Sequence, residues 1–273
     1  MDAEVVDGIA YAVGAMGEGV ATITLAMPAR LNPLALPMQR RMLELLAGIH
    51  QDRSVRALVV TGEGAAFCVG ADLQAMRPGA GDARPFADAT ADLMAGVSNP
   101  LILALRELPV PTLAAVNGAV AGAGVGLALA CDIVIAARSA YFYLPFMSRL
   151  GIVPDLGTTW FLPRLVGRAR ASALTLLGER LPAEEAAQWG LIAKAVEDDG
   201  FPAAVREAAN RLAALPAHAA LETRRVYDAA EANGLAAQLR HEAERQRELL
   251  GGEAFAEGVT AFLGKRAPAF NGR

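Results

Sequence analysis

Residues 108 to 131, LPVPTLAAVNGAVAGAGVGLALAC, carry no charged side chain. A run of this length has to be hidden from water on every side, either in a bilayer or in the middle of a protein. Its punctuation decides between them. Pro109 and Pro111 open the run, Asn117-Gly118 breaks it, and Gly122, Gly124 and Gly126 crowd the remainder. Asp132 follows at once, and there is neither an aromatic belt nor a basic flank. The run therefore reads as a buried strand, Thr112–Val116, then a turn at Asn117-Gly118 and a buried small-residue helix over about 122–130. A membrane span is not expected.

Composition sets the remaining bounds. Over 273 residues and 28.4 kDa, 54% of the side chains are hydrophobic and 20% charged, which suits one well-buried domain with at most a small appendage. Aromatics reach only 5%, so Ala, Leu and Val must fill the core. The formal charge is -4, and without a basic surplus there is no pull toward nucleic acid or an anionic membrane. Lys194 and Lys265 are the only lysines, so nearly all positive charge is arginine. Cys68 and Cys131 stand in apolar runs and read as inert buried thiols of a reducing compartment, so a cytoplasmic location is expected. The acidic start MDAEVVDG does not read as a signal peptide. His50, His218 and His241 fall in charged or helical stretches, and no pattern has metal-ligand spacing.

Along the chain, residues 9–13 and 20–25 read as a hairpin, and Pro37 opens a helix with Met38, Met42, Leu45, Leu46 and Ile49 on one face. Strands follow at 55–60 and 67–69, then a short helix over 71–76. Residues 77–92, RPGAGDARPFADATAD, are rich in Gly, Pro and Asp without a steady period and read as a mobile loop. A helix up to Leu108 starts or kinks at Ser98-Asn99-Pro100. Beyond the charge-free run come a strand at 133–136, a helix over 169–177, another opening at 181–185, and a last strand at 192–196. Helices are expected at 203–214, 217–232, 235–250 and 253–263. The pattern is an α/β core over 1–200 with a helical region over 201–273, and the sequence shows no internal repeat.

Three places could carry chemistry. In TGEGAAFCVGADL (61–73) and NGAVAGAGVGL (117–127), a strand leaves a glycine turn and enters a helix, so backbone N–H groups at each helix start lack partners. Two such starts facing one oxygen would polarise a carbonyl. Tight packing alone also explains Gly-Ala runs. Neither run is a dinucleotide fingerprint or a P-loop, and no GxSxG elbow occurs. In LGIVPDLGTTWFLPR (150–164), Asp155 is by type a helix cap. Its apolar surroundings also suit a carboxyl with a raised pKa that moves protons near neutrality. Asp132 reads as a turn or ion-pair residue, and Asp72 as a cap or pairing residue.

In order and wording these segments resemble the crotonase superfamily, the enoyl-CoA hydratases and isomerases, over essentially the whole chain. TGEGAAFCVGADL is similar to its first oxyanion segment and AAVNGAVAGAGVGLALACDI to its second. LGIVPDLGTTWFLPRLVG is similar to its active-site helix entry, and EGVTAFLGKRAPAF to its C-terminal signature. The resemblance implies a spiral of ββα units with a C-terminal helical trimerisation region, giving a homotrimer or a hexamer of two stacked trimers. It implies an acyl-CoA thioester as substrate, with no cofactor beyond the coenzyme A portion. The thioester oxygen would accept from the backbone N–H groups of Ala71 and Ala123, beside Ala65, Gly70, Gly122 and Gly124. Lys265 would reach the nucleotide end of CoA in an adjacent subunit, with Arg30 near its phosphates.

Two departures from the family pattern point to the reaction. Where a typical hydratase carries its two glutamates, this chain has Gly126 and, after Pro145, Phe146. Hydration needs one water activated and one carbon protonated, so losing both acids argues against it. Asp155 in VPDLG is similar to the acid of the isomerase branches, including the ring-epoxide isomerases of phenylacetate degradation. One acid suffices there, since the group that takes the proton can return it. An isomerase is therefore expected; hydration, another carbonyl-activated reaction such as thioester hydrolysis, and acyl-CoA binding without turnover remain alternatives. Residues 78–92 with Phe142, Phe146 and Trp160 are expected as lid and apolar lining.

Overall fold

The structure, a computed structural model, describes residues 4–74 and 85–270. The chain opens with β1 (Val5–Val6), β2 (Ile9–Val13) and β3 (Val20–Leu25), an antiparallel meander, followed by helix α1 (Leu36–Gln51). Then come β4 (Ala57–Gly62), β5 (Ala66–Cys68), α2 (Phe86–Leu93) and α3 (Asn99–Glu107), the two helices joined by a wider turn, Met94–Ser98. The charge-free run supplies β6 (Thr112–Val116), β7 (Ala119–Ala121) and α4 (Ala123–Leu129). Next are β8 (Ile133–Ala137), β9 (Tyr141–Tyr143) and α5 (Thr158–Leu177), the last broken at Gly167, then β10 (Arg180–Pro182), α6 (Ala183–Gln188) and β11 (Lys194–Val196). Helices α7 (Phe201–Ala213), α8 (Ala219–Ala232), α9 (Leu235–Leu250) and α10 (Glu253–Leu263) close the described chain. No helix among the described residues is long and apolar enough to cross a membrane.

Two sheets explain the strand sequences. The larger runs β1-β2-β3-β4-β6-β8-β11 and is parallel from β3 onward; the smaller runs β10-β9-β7-β5. Strands buried on both faces need no polar alternation, which is why β6 is TLAAV with every residue buried. Leu58, Val60, Ala114, Val116 and Ala136 face the main core, while Val59, Leu113, Ala115 and Ile135 face Val205 and Ala209 of α7. Strand pairs β4–β5, β6–β7 and β8–β9 each cross from the large sheet to the small one and then enter helix, so a ββα unit recurs.

The structure departs from the sequence reading at several points. The recurrence is invisible in sequence because β5, β7 and β9 have only three residues each, too short for a period to register. The expected helix at 71–76 does not begin at Ala71: that residue makes a parallel bridge with Leu34, and Leu73-Gln74 is a turn. The expected loop at 77–92 lies partly outside the described residues, but Phe86–Leu93 is helix α2. Pro85 precedes it and Asp88 occupies its first turn; Phe86, Thr90 and Leu93, all half-buried, line one face, but eight residues behind a Pro- and Gly-rich stretch are too few for that spacing to register. Helix α7 covers the second face of the large sheet, so the expected boundary at 200 precedes a helix that shares the sheet's packing.

Arg224 couples the later helices to the core. It is 5% exposed on α8, and its Nε and Nη2 each donate to Asp132 at 2.6 Å. The remaining donors reach the carbonyls of Arg106, Leu108 and Val110. Asp132 also accepts from the Thr112 amide at 2.7 Å, so the start of β6, the end of α3 and α8 share one ion pair. Removing one partner of such a pair leaves a half-buried charge and unpaired carbonyls. Arg224→Ala should lower stability in urea unfolding by about 3 kcal/mol. Arg224→Lys, which cannot fork onto the carboxylate, should recover less than half of the loss, and full recovery by lysine would show the contact to be a point charge.

Candidate active site

Four chain segments are drawn together beside the small sheet. Asn32, fully buried, accepts from the Met27 amide at 2.8 Å and donates to the carbonyls of Glu63 at 3.0 Å and Ala66 at 2.8 Å. Asn117 ties the turn after β6 to the same loop, donating to Gly64 O at 2.9 Å and accepting from the Gly62 amide at 3.1 Å. The Leu34 amide then donates to Gly70 O at 2.8 Å. At Gly70 (φ +86) an added Cβ would stand 2.8 Å from Ala121 O and 2.9 Å from Ala123 N, so only glycine lets the two backbones meet there.

Ala71 and Ala123 come together across this contact and line one cavity of about 250 Å³ with Asp155 and Leu156. Among the described residues neither alanine N–H has an acceptor. Ala123 opens α4 after Gly122, whose own N–H is taken by Tyr143 O at 2.9 Å. Ala71 leaves β5 in extended chain, so its free donor comes from the turn at Gly70 and not from a helix start.

Asp155 does not cap α5. Gly157 is the N-cap residue, no side chain caps the helix, and only the Asp155 main-chain oxygen accepts from Thr158, at 2.9 Å. Its Oδ1 is buried without a hydrogen-bond partner among the described residues. Burial pushes the carboxyl up to about 6, opposed by a hydrogen bond from its own amide. The other aspartate lining the cavity, Asp72, is held by Arg30 at 2.7 Å. Burial also drives the Cys68 and Cys131 thiols up to about 12, which leaves neither as a nucleophile. Among the described residues no group of His, Cys, Asp or Glu could hold a metal ion.

The remaining expected site residues divide. Gly124 seats α4 on β5, since a Cβ there would stand 2.5 Å from Cys68 O. Ala65 is exposed and its carbonyl accepts from Ala119 at 3.3 Å, a structural position outside the cavity. Phe146 is buried beneath the second segment, its ring 3.8 Å from a Cβ built on Gly122, and is not part of the lining. Phe142 packs in the core on β9, also outside the lining. Trp160 is 40% exposed because Phe161 and Leu162 take the inner face of α5. It sits 4.1 Å below the Arg164 guanidinium and borders a separate cavity. Lys265 is exposed beyond α10, away from the cavity of its own chain. Of the expected lid, Thr90 borders the cavity, whereas residues 78–84 lie outside the described residues.

Sequence reasoning missed Gln39 and Ser98, both buried and both lining the cavity. The available signal was a polar residue inside the apolar stripe of α1, beside Met38 and one turn before Met42 and Leu43.

A family model described as enoyl-CoA hydratase/isomerase matches residues 15–273. The chain is 43% identical to the 1,2-epoxyphenylacetyl-CoA isomerase of Escherichia coli K12, covering 94% of this chain and 96% of that one. It is 45% identical to a probable enoyl-CoA hydratase of Rhodobacter capsulatus, over 94% and 96%. The crystal structure of an enoyl-CoA hydratase from Polaromonas sp. JS666 superposes with a TM-score of 0.88 at 33% identity, covering 96% of this chain and 99% of that one. With its recurring ββα units and helical C-terminal region, the chain belongs to the enoyl-CoA hydratase/isomerase family of the crotonase superfamily.

Proposed function

We propose that this protein is an acyl-CoA isomerase that moves a proton between the α and γ carbons of an enoyl thioester, or opens a ring epoxide through the same enolate, with Asp155 as its single acid–base. The observation that carries the reading is at Gly126. A Cβ there would stand 2.2 Å from Leu156 O and 2.9 Å from Thr158 Oγ1, so a glutamate has no room at the hydratase position. Phe146 at the other position is apolar, and Asp72 is engaged by Arg30. Among the described residues, one carboxyl with an unpartnered Oδ1 lines the cavity together with two N–H donors that have no acceptor.

Chemistry follows from that inventory. The thioester oxygen accepts from Ala71 and Ala123 N–H, which favour the negative charge that develops on it. Ionised Asp155 removes a proton from carbon, the enolate forms, and the resulting carboxylic acid returns the proton at the other end of the allyl system. In deuterated water, a 3-enoyl-CoA should convert to the 2-enoyl isomer with label at the α or γ carbon, and Asp155→Asn should reduce the rate by at least about a thousandfold. kcat/KM should rise with pH to a plateau above about 6, where the carboxyl is ionised. Rapid 3-hydroxyacyl-CoA formation surviving Asp155→Asn would install hydration instead. If neither enoyl isomer reacts, 1,2-epoxyphenylacetyl-CoA is the next substrate.

The same carboxyl should weaken the fold. Its folded-state pKa lies above the unfolded value, so below about pH 4 both states are protonated and the residue is neutral to stability. As pH rises toward 6 the unfolded chain ionises first and is favoured, and above 6 the penalty is constant. Allowing for partial exposure, Asp155→Asn should be more stable than the parent by about 2 kcal/mol at pH 7.5 and equal to it near pH 4. Equal stability at both pH values would mean that the carboxyl is solvated.

The reading also includes assembly. On α10, Phe262 is 83% and Leu263 76% exposed, and on α9 Leu235 is 77% exposed, which supports burial against other copies in a trimer or hexamer. Sedimentation at micromolar concentration should find no monomer. In that assembly Lys265→Ala should raise KM for acyl-CoA with little change in kcat, because the contact is equal in ground and transition states. An unchanged KM would remove Lys265 from CoA binding.

A further inference from the structure

One buried pair lining the Asp155 cavity has no part in the proton transfer. Gln39 on α1 is 7% exposed, and Ser98, at the end of the wider turn before α3, is 4% exposed. The Leu34 carbonyl can only accept and lies 2.9 Å from Gln39 Nε2, so the amide nitrogen must face it. That turns Oε1 toward Ser98, whose hydroxyl at 2.7 Å must then be the donor.

Two capacities are left over. Ser98 Oγ has committed its only hydrogen and remains an acceptor. The second N–H of Gln39 has no acceptor among the described residues. Leu36, Leu93 and Met94 beside them are apolar and cannot answer either. The pair also stands close to the thioester donors, because the Leu34 amide holds Gly70 O at 2.8 Å, one residue before Ala71.

We propose that the cavity selects acyl groups carrying an oxygen beyond the thioester, a hydroxyl best of all. The hydroxyl oxygen accepts from Gln39 Nε2 while its hydrogen donates to Ser98 Oγ. An ether or epoxide oxygen satisfies Gln39 alone. A hydrocarbon of the same shape expels water from both groups and leaves them unpaired, which is how a polar site rejects an analogue lacking the matching group. The inference rests on the acyl-CoA reading above and narrows its substrate class to oxygenated acyl thioesters.

Calorimetric titration of the oligomer with unreactive saturated thioesters tests it: hexanoyl-CoA, its monohydroxy positional isomers, and the chain ethers with oxygen at the same positions. At least one hydroxy isomer should bind about tenfold tighter than hexanoyl-CoA, with the matching ether between them. In Gln39→Met and in Ser98→Ala the ratio should fall to within about twofold. Because two ligands are compared on one variant, a general disturbance of the fold cancels. Hexanoyl-CoA binding as tightly as every hydroxy isomer would overturn the inference alone, as would a preference that persists in both variants. Binding of no thioester would overturn the acyl-CoA reading and this inference with it.

Discussion

The cavity that holds Asp155 depends on two stretches of backbone meeting at Gly70 and Ala123. A Cβ at Gly70 would stand 2.9 Å from Ala123 N, and that closeness brings two N–H donors to one cavity with no acceptor for either among the described residues. The contact is held from outside. Strands β5 and β7 pair in parallel and set the spacing, while Asn32 and Asn117 both donate to Ala66 O on β5. Donors fixed by backbone need no reorganisation when charge develops on a bound oxygen, which is the condition under which such donors act most strongly.

Three aspartates show how environment sets apart copies of one side chain. Asp132 receives the Arg224 fork and the Thr112 amide, and serves the fold. Asp72 receives Arg30 at the edge of the cavity. Asp155 has a buried oxygen with no partner among the described residues, and its carboxyl is pushed up to about 6. An unpaired buried carboxyl is a poor stabiliser for the same reason that it is a good proton carrier near neutrality: its charged form is not solvated. Leu156 O fills the space beside Gly126, so no side chain fits at that position.

Arginine does the structural linking in a chain with two lysines. Arg224 reaches a carboxylate and three carbonyls at once, a geometry that needs a planar fork. It anchors α8, while α9 and α10 carry exposed apolar side chains outward. The part of the chain richest in unsatisfied apolar surface is thus tied to the β6 strand that leads into the Ala123 segment.

By itself the sequence determined the elements with a strong period or a forced burial: β2, β3, β6, the face of α1 and the four last helices, all of which lie within a few residues of where periodicity puts them. It also singled out Ala71, Ala123 and Asp155, because family-like motifs are written in contiguous residues. Tertiary structure decided what contiguity cannot express. The three-residue strands of the small sheet exist only because partners pair with them, and α2 has only eight residues, so neither is long enough to show a period. Trp160 faces outward and Phe142 and Phe146 pack away from the cavity, although their positions suggested a lining. Gln39 and Ser98 stand 59 residues apart and become a polar wall only when α1 and the turn before α3 pack together. Local sequence specifies which backbone can bend and which face is apolar; the partner that a buried polar group finds is a property of the packed chain alone.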